Sequence, residues 1–267
     1  MTNMSKIEHI LGAKPIEPVR EQINGKRHYI LKQIQETPMV SVTSLIGDVI
    51  NKPALVNWGK NLGISAGVDT LKDYVGTYIT ENIVAEFKDD AKSKLAKLST
   101  SAADYGTKAH SLIEAIINDE DPEIPPEYNP VIEAFHIWQE TNNIDLVLSE
   151  MCVYSVDLQV AGTLDALGNK DGKIILIDWK TSNGFYEEMA LQCGGYVCCL
   201  EEMTGQTIDE GWIVRFDKRS PLFEAKTVDI PKAKSAFIRA KSFWDEAIDQ
   251  TLWKLSSITL SINAFAF

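Results

Sequence analysis

Three residues in two short segments have the types and spacing for chemistry. Asp165 ends Gly162-Thr163-Leu164-Asp165, and Asp178 and Lys180 lie in Ile177-Asp178-Trp179-Lys180. Between them runs Asn169-Lys170-Asp171-Gly172. Asp-Gly between two apolar runs is a two-residue hairpin signal, because both central positions accept positive φ. A turn centred there pairs Lys170 with Lys173, and counting outwards sets Asp165 opposite Asp178. Side chains alternate along a strand, so Lys180 shares a face with Asp178, and Trp179 joins Ile177 on the other. Facing carboxylates destabilise an exposed sheet by roughly 0.2–1 kcal/mol, and more when desolvated. A divalent cation between them removes the conflict, and hard oxygen ligands suit Mg²⁺ or Mn²⁺. Lys180 then stands beside a water nucleophile and a phosphate. The other reading of these three residues alone is a surface hairpin with solvated aspartates and an ion-paired lysine.

The elements that must hold this hairpin follow from hydrophobic period. From Asp145 the pattern is strand-like at 146–153, 159–167 and 173–180, helical at 186–203, strand-like again at 211–218 and 222–230, and helical at 232–255. The N-terminal half reads as helical. Apolar residues recur at helical spacing from Tyr78 to Leu98. Ser99-Thr100-Ser101 offers an N-cap for a helix ending at Asn118, and 131–141 is a further helix. Residues 1–37 read as loosely structured, with Pro15, Pro18 and Pro38 as breakers and a short strand at 28–33. Met39 to Ile46 is a short apolar entry segment. The order predicts an α/β (α+β) fold, a central mixed sheet flanked by helices. The expected organisation is a helical or arch region over 1–98 and a core over 99–267.

Further residues join the hairpin. Tyr105-Gly106-Thr107-Lys108-Ala109-His110 with Glu114 sets His110 and Glu114 on one helical face. Leu191-Gln192-Cys193-Gly194-Gly195-Tyr196 does the same for Gln192 and Tyr196. Each glycine inside that helix costs about 1 kcal/mol relative to alanine, which implies close approach of another backbone or a ligand. In order, Gly-Thr-x-x-His, a strand Glu at Glu150, Gly-Thr-Leu-Asp, Ile-Asp-Trp-Lys-Thr-Ser and Gln-x-x-x-Tyr resemble the PD-(D/E)xK nuclease superfamily in its RecB-like exonuclease branch. Val40-Ser41-Val42-Thr43-Ser44-Leu45 is similar to an entry segment of mitochondrial genome maintenance exonucleases and their phage relatives, with Val40 where those carry Pro.

The resemblance implies a restriction-endonuclease-like core. It implies His110, Asp165, Asp178 and the Trp179 carbonyl as ligands of Mg²⁺ or Mn²⁺. It implies Lys180 as the residue positioning the attacking water, Glu150 as support for the metal or for Lys180, and Gln192 and Tyr196 as residues orienting Lys180 or a phosphate. Glu114 matches least and fits an outer supporting position. The implied activity is hydrolysis of phosphodiester bonds at single-stranded DNA ends in replication, repair or recombination, with proteins of those processes as partners. A structure-selective endonuclease, or a non-catalytic nucleic-acid-binding module on a nuclease fold, are the alternatives. No iron–sulfur cluster is expected, because no cysteine precedes Cys152 and Cys193, Cys198 and Cys199 crowd one segment. No Walker A motif is present, so no helicase motor is expected.

Composition bounds these readings. A net charge of −12 argues against a protein that coats nucleic acid non-specifically, but not against a local basic channel. No apolar run reaches membrane-spanning length, no secretory signal is apparent, and the four cysteines suit a reducing compartment, so a cytoplasmic location is expected. Candidate substrate contacts are Lys88, Lys92, Lys94, Lys97, Lys218 and Arg219. The first four alternate with Asp89 and Asp90, which favours a solvated helix face. Trp58, Tyr74 and Tyr78 offer rings for base stacking or for core packing.

Overall fold

A computed structural model describes residues 16–249. Eight strands form one mixed sheet: β1 (Val19–Ile23), β2 (Lys26–Leu31), β3 (Gln35–Ser41), β4 (Asp145–Ser155), β5 (Val160–Lys170), β6 (Lys173–Lys180), β7 (Glu210–Phe216) and β8 (Phe223–Val228). Six α-helices accompany them among the described residues: α1 (Val42–Val49), α2 (Pro53–Leu71), α3 (Glu81–Ile117), α4 (Asn129–Asn142), α5 (Glu187–Thr204) and α6 (Ile230–Trp244). The expected mixed sheet flanked by helices is the observed architecture. None of these helices is long and apolar enough to cross a membrane.

The predicted hairpin register holds. Lys170 pairs with Lys173 and the ladder runs back to Ala166 opposite Ile177. Asp171 and Gly172 turn the chain at φ 52° and 82°, the conformation for which Asp-Gly is suited. β6 and β7 pair in parallel, with α5 as the crossover between them.

One face of the sheet packs on α1, α5 and α6 through Val42, Leu45, Tyr196, Leu200 and Phe237. The other packs on α4 and the C-terminal end of α3, around an aromatic nucleus of Phe135, Trp138, Trp179 and Phe216. Trp138 meets Trp179 edge-on at 5.0 Å between ring centroids. Trp179 and Ile177 share that face, and Leu176 lies in the core on the other, as strand alternation requires.

The N-terminal segment corrects the expectation of a loose chain over 1–37, of which residues 1–15 lie outside the described residues. β1 and β2 form a hairpin turned at Asn24-Gly25, with φ 52° and 75°. Asn-Gly is the strongest short hairpin signal, and it stands between Val19-Arg20-Glu21-Gln22-Ile23 and Lys26-Arg27-His28-Tyr29-Ile30-Leu31. Pro38 lies inside β3 instead of ending it. The β2–β3 register shifts between Tyr29 and Leu31, beside Pro38, and an irregular ladder spares the N–H that proline lacks. The expected helix break at Ser99-Thr100-Ser101 is absent: α3 is continuous for 37 residues. Ser101 Oγ donates to the Lys97 carbonyl at 2.9 Å, so its hydroxyl bonds back along the helix instead of capping a new one. The final α-helix runs to Trp244 and continues as a π-helical segment over Asp245–Asp249, and the rest of the expected span to 255 lies outside the described residues.

Candidate metal and catalytic site

The site lies where the sheet divides. β4 pairs β5 along its whole length. On its other side β5 pairs β3 only at Val160 and Ala161, and β6 only from Ala166 onwards. Gly162, Thr163, Leu164 and Asp165 therefore border an opening between β3 and β6. The Tyr196 ring from α5 lies against it: a Cβ on Gly162 would fall 2.5 Å from Tyr196 Cε1. Glycine at 162 is thus required by the approach of Tyr196.

The two aspartates are close but differently held. The β5–β6 ladder stops one pair short of Asp165 and Asp178. In its place, Asp165 Oδ2 accepts a hydrogen bond from the Trp179 N–H at 2.8 Å. Asp165 Oδ1 lies 3.5 Å from His110 Nδ1, which α3 projects towards the sheet. Asp178 is 1% exposed. Its Oδ2 forms an ion pair with Lys180, and Gln192 Nε2 donates to its Oδ1 at 3.4 Å. The same Gln192 amide donates to Tyr196 Oη at 2.9 Å.

Glu150 completes the cluster from β4. Ser149 pairs with Ala166 and Met151 with Leu164, which sets Glu150 across from Asp165. Glu150 holds φ at 51°, a left-handed conformation that costs a non-glycine residue roughly 1–3 kcal/mol. His110, Glu150 and Asp165 each offer a ligand atom, all within 4.8 Å of one another. Of the ligands the resemblance implies, His110 and Asp165 thus lie together with Glu150, and Asp178 is turned to Lys180 and Gln192.

Electrostatics follow from this crowding. Burial, then the Asp165 charge, pushes Glu150 up to about 7. Burial likewise raises Asp178 to about 6, against the pull of Lys180. Asp165 goes the other way. Burial opposes its ionisation, but His110, Lys180 and the Trp179 N–H hold it below the usual carboxylate range. Burial disfavours charged His110 and Lys180 too, yet the carboxylates beside them keep both above their ordinary values. Three carboxylates crowd together against one lysine and one imidazole in a largely buried site. A hard divalent cation with oxygen and imidazole ligands fits that donor set.

Other predicted residues fall in various places. Glu114 lies one turn along α3 from His110, and its charge is felt at Glu150. Lys92 pairs with Asp89 on the exposed N-terminal half of α3, the solvated face expected. Tyr74 donates to Asp90 at 2.6 Å and meets Phe87 edge-on, so its ring packs against α3. Tyr78 is 86% exposed. Lys218 sits over the Tyr105 ring at 4.6 Å. Gly194 and Gly195 answer to backbone and side-chain packing: Cβ atoms there would fall 2.5 Å from the Ala233 carbonyl carbon and 2.7 Å from Phe237. Arg20 and Tyr29 from the β1–β2 hairpin, absent from the sequence reading, both reach Thr163. The Asn24-Gly25 turn was the signal for them.

No family model matches the chain, and no curated protein matches it. Among solved structures the chain is similar to the protein SSO0001, at 13% identity and a TM-score of 0.36, over 68% of this chain and 84% of that one. It is also similar to an alkaline exonuclease from Laribacter hongkongensis, at 13% identity and a TM-score of 0.29, over 49% of this chain and 75% of that one.

Proposed function

We propose that this protein is a Mg²⁺- or Mn²⁺-dependent nuclease that hydrolyses phosphodiester bonds at single-stranded DNA ends. The reading is carried by one observation: His110, Glu150 and Asp165 converge beside the buried Asp178–Lys180 pair at the opening in the sheet. His110, Glu150 and Asp165 would hold the metal, with Asp178 and the Trp179 carbonyl as further candidate ligands. Bound there, a divalent cation supplies a Lewis acid that draws charge from a phosphoryl oxygen.

The chain's own groups do the rest. The Trp179 N–H fixes the Asp165 carboxylate, leaving its other oxygen towards His110. Asp178 keeps Lys180 charged and directed, so its ammonium can donate to a water and stabilise the negative charge that forms on attack. Gln192, bonded to both Asp178 and Tyr196, holds that pair in place. The aromatic nucleus behind Trp179 keeps the strand from shifting. In this reading the β1–β2 hairpin, α2 and the N-terminal half of α3 would face the substrate, β3–β8 with α1 and α4–α6 would carry the core, and α3 runs through both and brings His110.

The test is digestion of 5′- and 3′-labelled single and double strands with Mg²⁺, Mn²⁺ or EDTA. Asp165→Ala, Asp178→Ala and Lys180→Ala should each lose about 10²–10⁴-fold in rate while melting cooperatively. Equal cutting by all three, or cutting by the parent in EDTA, would refute the proposal. A circular single strand should stay intact, and its cleavage would mark an endonuclease instead.

A further inference from the structure

An exposed cation is fastened next to the site and pairs with no carboxylate among the described residues. Arg20, on β1, donates through Nη2 to Thr163 Oγ1 at 2.9 Å. Its guanidinium carbon also lies 5.7 Å from the centre of the Tyr29 ring, and Tyr29 Oη lies 3.3 Å from the same Thr163 oxygen. Two contacts thus hold the guanidinium over β5, and its other N–H groups are left for a ligand. Thr163 and Asp165 share a face of β5, two residues apart, which is about 7 Å along the strand. Arg20 reaches that face from β1, the edge strand of the sheet. Its positive field extends to Glu150 and Cys152, opposite Asp165 and Thr163 in the ladder.

A planar guanidinium, held at one end and open at the other, matches two oxygens of a phosphodiester. We infer that Arg20 binds a backbone phosphate of the nucleic acid next to the one cleaved, so that the β1–β2 hairpin forms one wall of the substrate path. This rests on the nuclease reading above and adds a positioning residue to it. In a chain with a net charge of −12, such a contact must be local, and this one is built by Arg20, Thr163 and Tyr29 together.

Binding of a short labelled single strand in EDTA, measured across salt concentrations, separates the two ideas. Arg20→Gln should make the slope of log affinity against log salt shallower by about 0.7, the release expected for one single-strand phosphate contact. In the cleavage assay it should raise KM about tenfold with kcat within about twofold. Arg20→Lys should restore the slope and part of KM, and Arg239→Gln, at an exposed position of α6, should change neither. An unchanged slope and KM in Arg20→Gln, with the parent binding and cutting normally, overturns this inference alone. A parent that neither binds nor cuts overturns the nuclease reading and this inference with it.

Discussion

Without metal, the carboxylate cluster should make the protein less stable as pH rises from about 4 to 7. Asp178 is raised from 3.8 to about 6 in the folded state. Over the interval between those values the native protein holds a proton that the unfolded chain has released, so unfolding is favoured as pH increases. Two units at 1.36 kcal/mol each amount to about 3 kcal/mol, lost by the time pH exceeds the folded value. Glu150, raised from 4.5 to about 7, adds a loss of the same sign, reduced because it is partly exposed. His110, also raised, loses its stabilising charge as pH climbs from its ordinary value through its raised one. Asp165, lowered, acts in the opposite sense, but only as pH falls through its own depressed value. For a chain of this size about 3 kcal/mol corresponds to roughly 6–12 °C in melting temperature. The assay is thermal unfolding in EDTA between about pH 4 and pH 7.5, for the parent and for Asp178→Asn. The parent should melt lower at the higher pH, and the variant should lose much of that dependence. Mn²⁺ at about a hundred times its Kd should return about 2.7 kcal/mol at the higher pH, and less at the lower. A parent equally stable at both pH values, or a variant with the same slope, would refute the charge-crowding argument.

Glu150→Asn should raise the melting temperature by roughly 2–4 °C, because asparagine tolerates the left-handed backbone, and should shrink the stabilisation by Mn²⁺. Gln192→Ala should lower metal affinity or activity about 10–100-fold, measured by Mn²⁺ titration and initial rates, since Asp178 and Tyr196 both lose their common partner. Gly194→Ala should cost about 1–3 kcal/mol in denaturant unfolding, because its Cβ meets the Ala233 backbone, which cannot rotate aside. Gly59→Ala, in open space on α2, should gain up to about 1 kcal/mol in the same assay.

Local rules made much of this protein legible from its sequence. Asp171-Gly172 determined the β5–β6 turn, and with it the register that brings Asp165 and Asp178 to neighbouring positions, because a two-residue turn leaves only one ladder. Period-two alternation put Trp179 in the core and Asp178 on the other face. Asn24-Gly25 was equally legible by the same rule, though β1 before it is exposed and offers little apolar alternation. Other features depend on contacts distant in the chain. α3 runs as one helix across Ser99-Thr100-Ser101, where the exposed Ser101 hydroxyl bonds back to the Lys97 carbonyl at small cost. Tertiary packing paired Glu150 with His110 and Asp165, because the left-handed turn at Glu150 is stored strain that no local preference predicts. It stopped the β5–β6 ladder one pair short of the aspartates, so that Asp165 takes the Trp179 N–H and the facing carboxylates part. The hairpin at the centre of the sequence reading thus determines which acids are neighbours. The splitting of the sheet around β5 decides which of them meet a histidine, which meets a lysine, and where Arg20 reaches in.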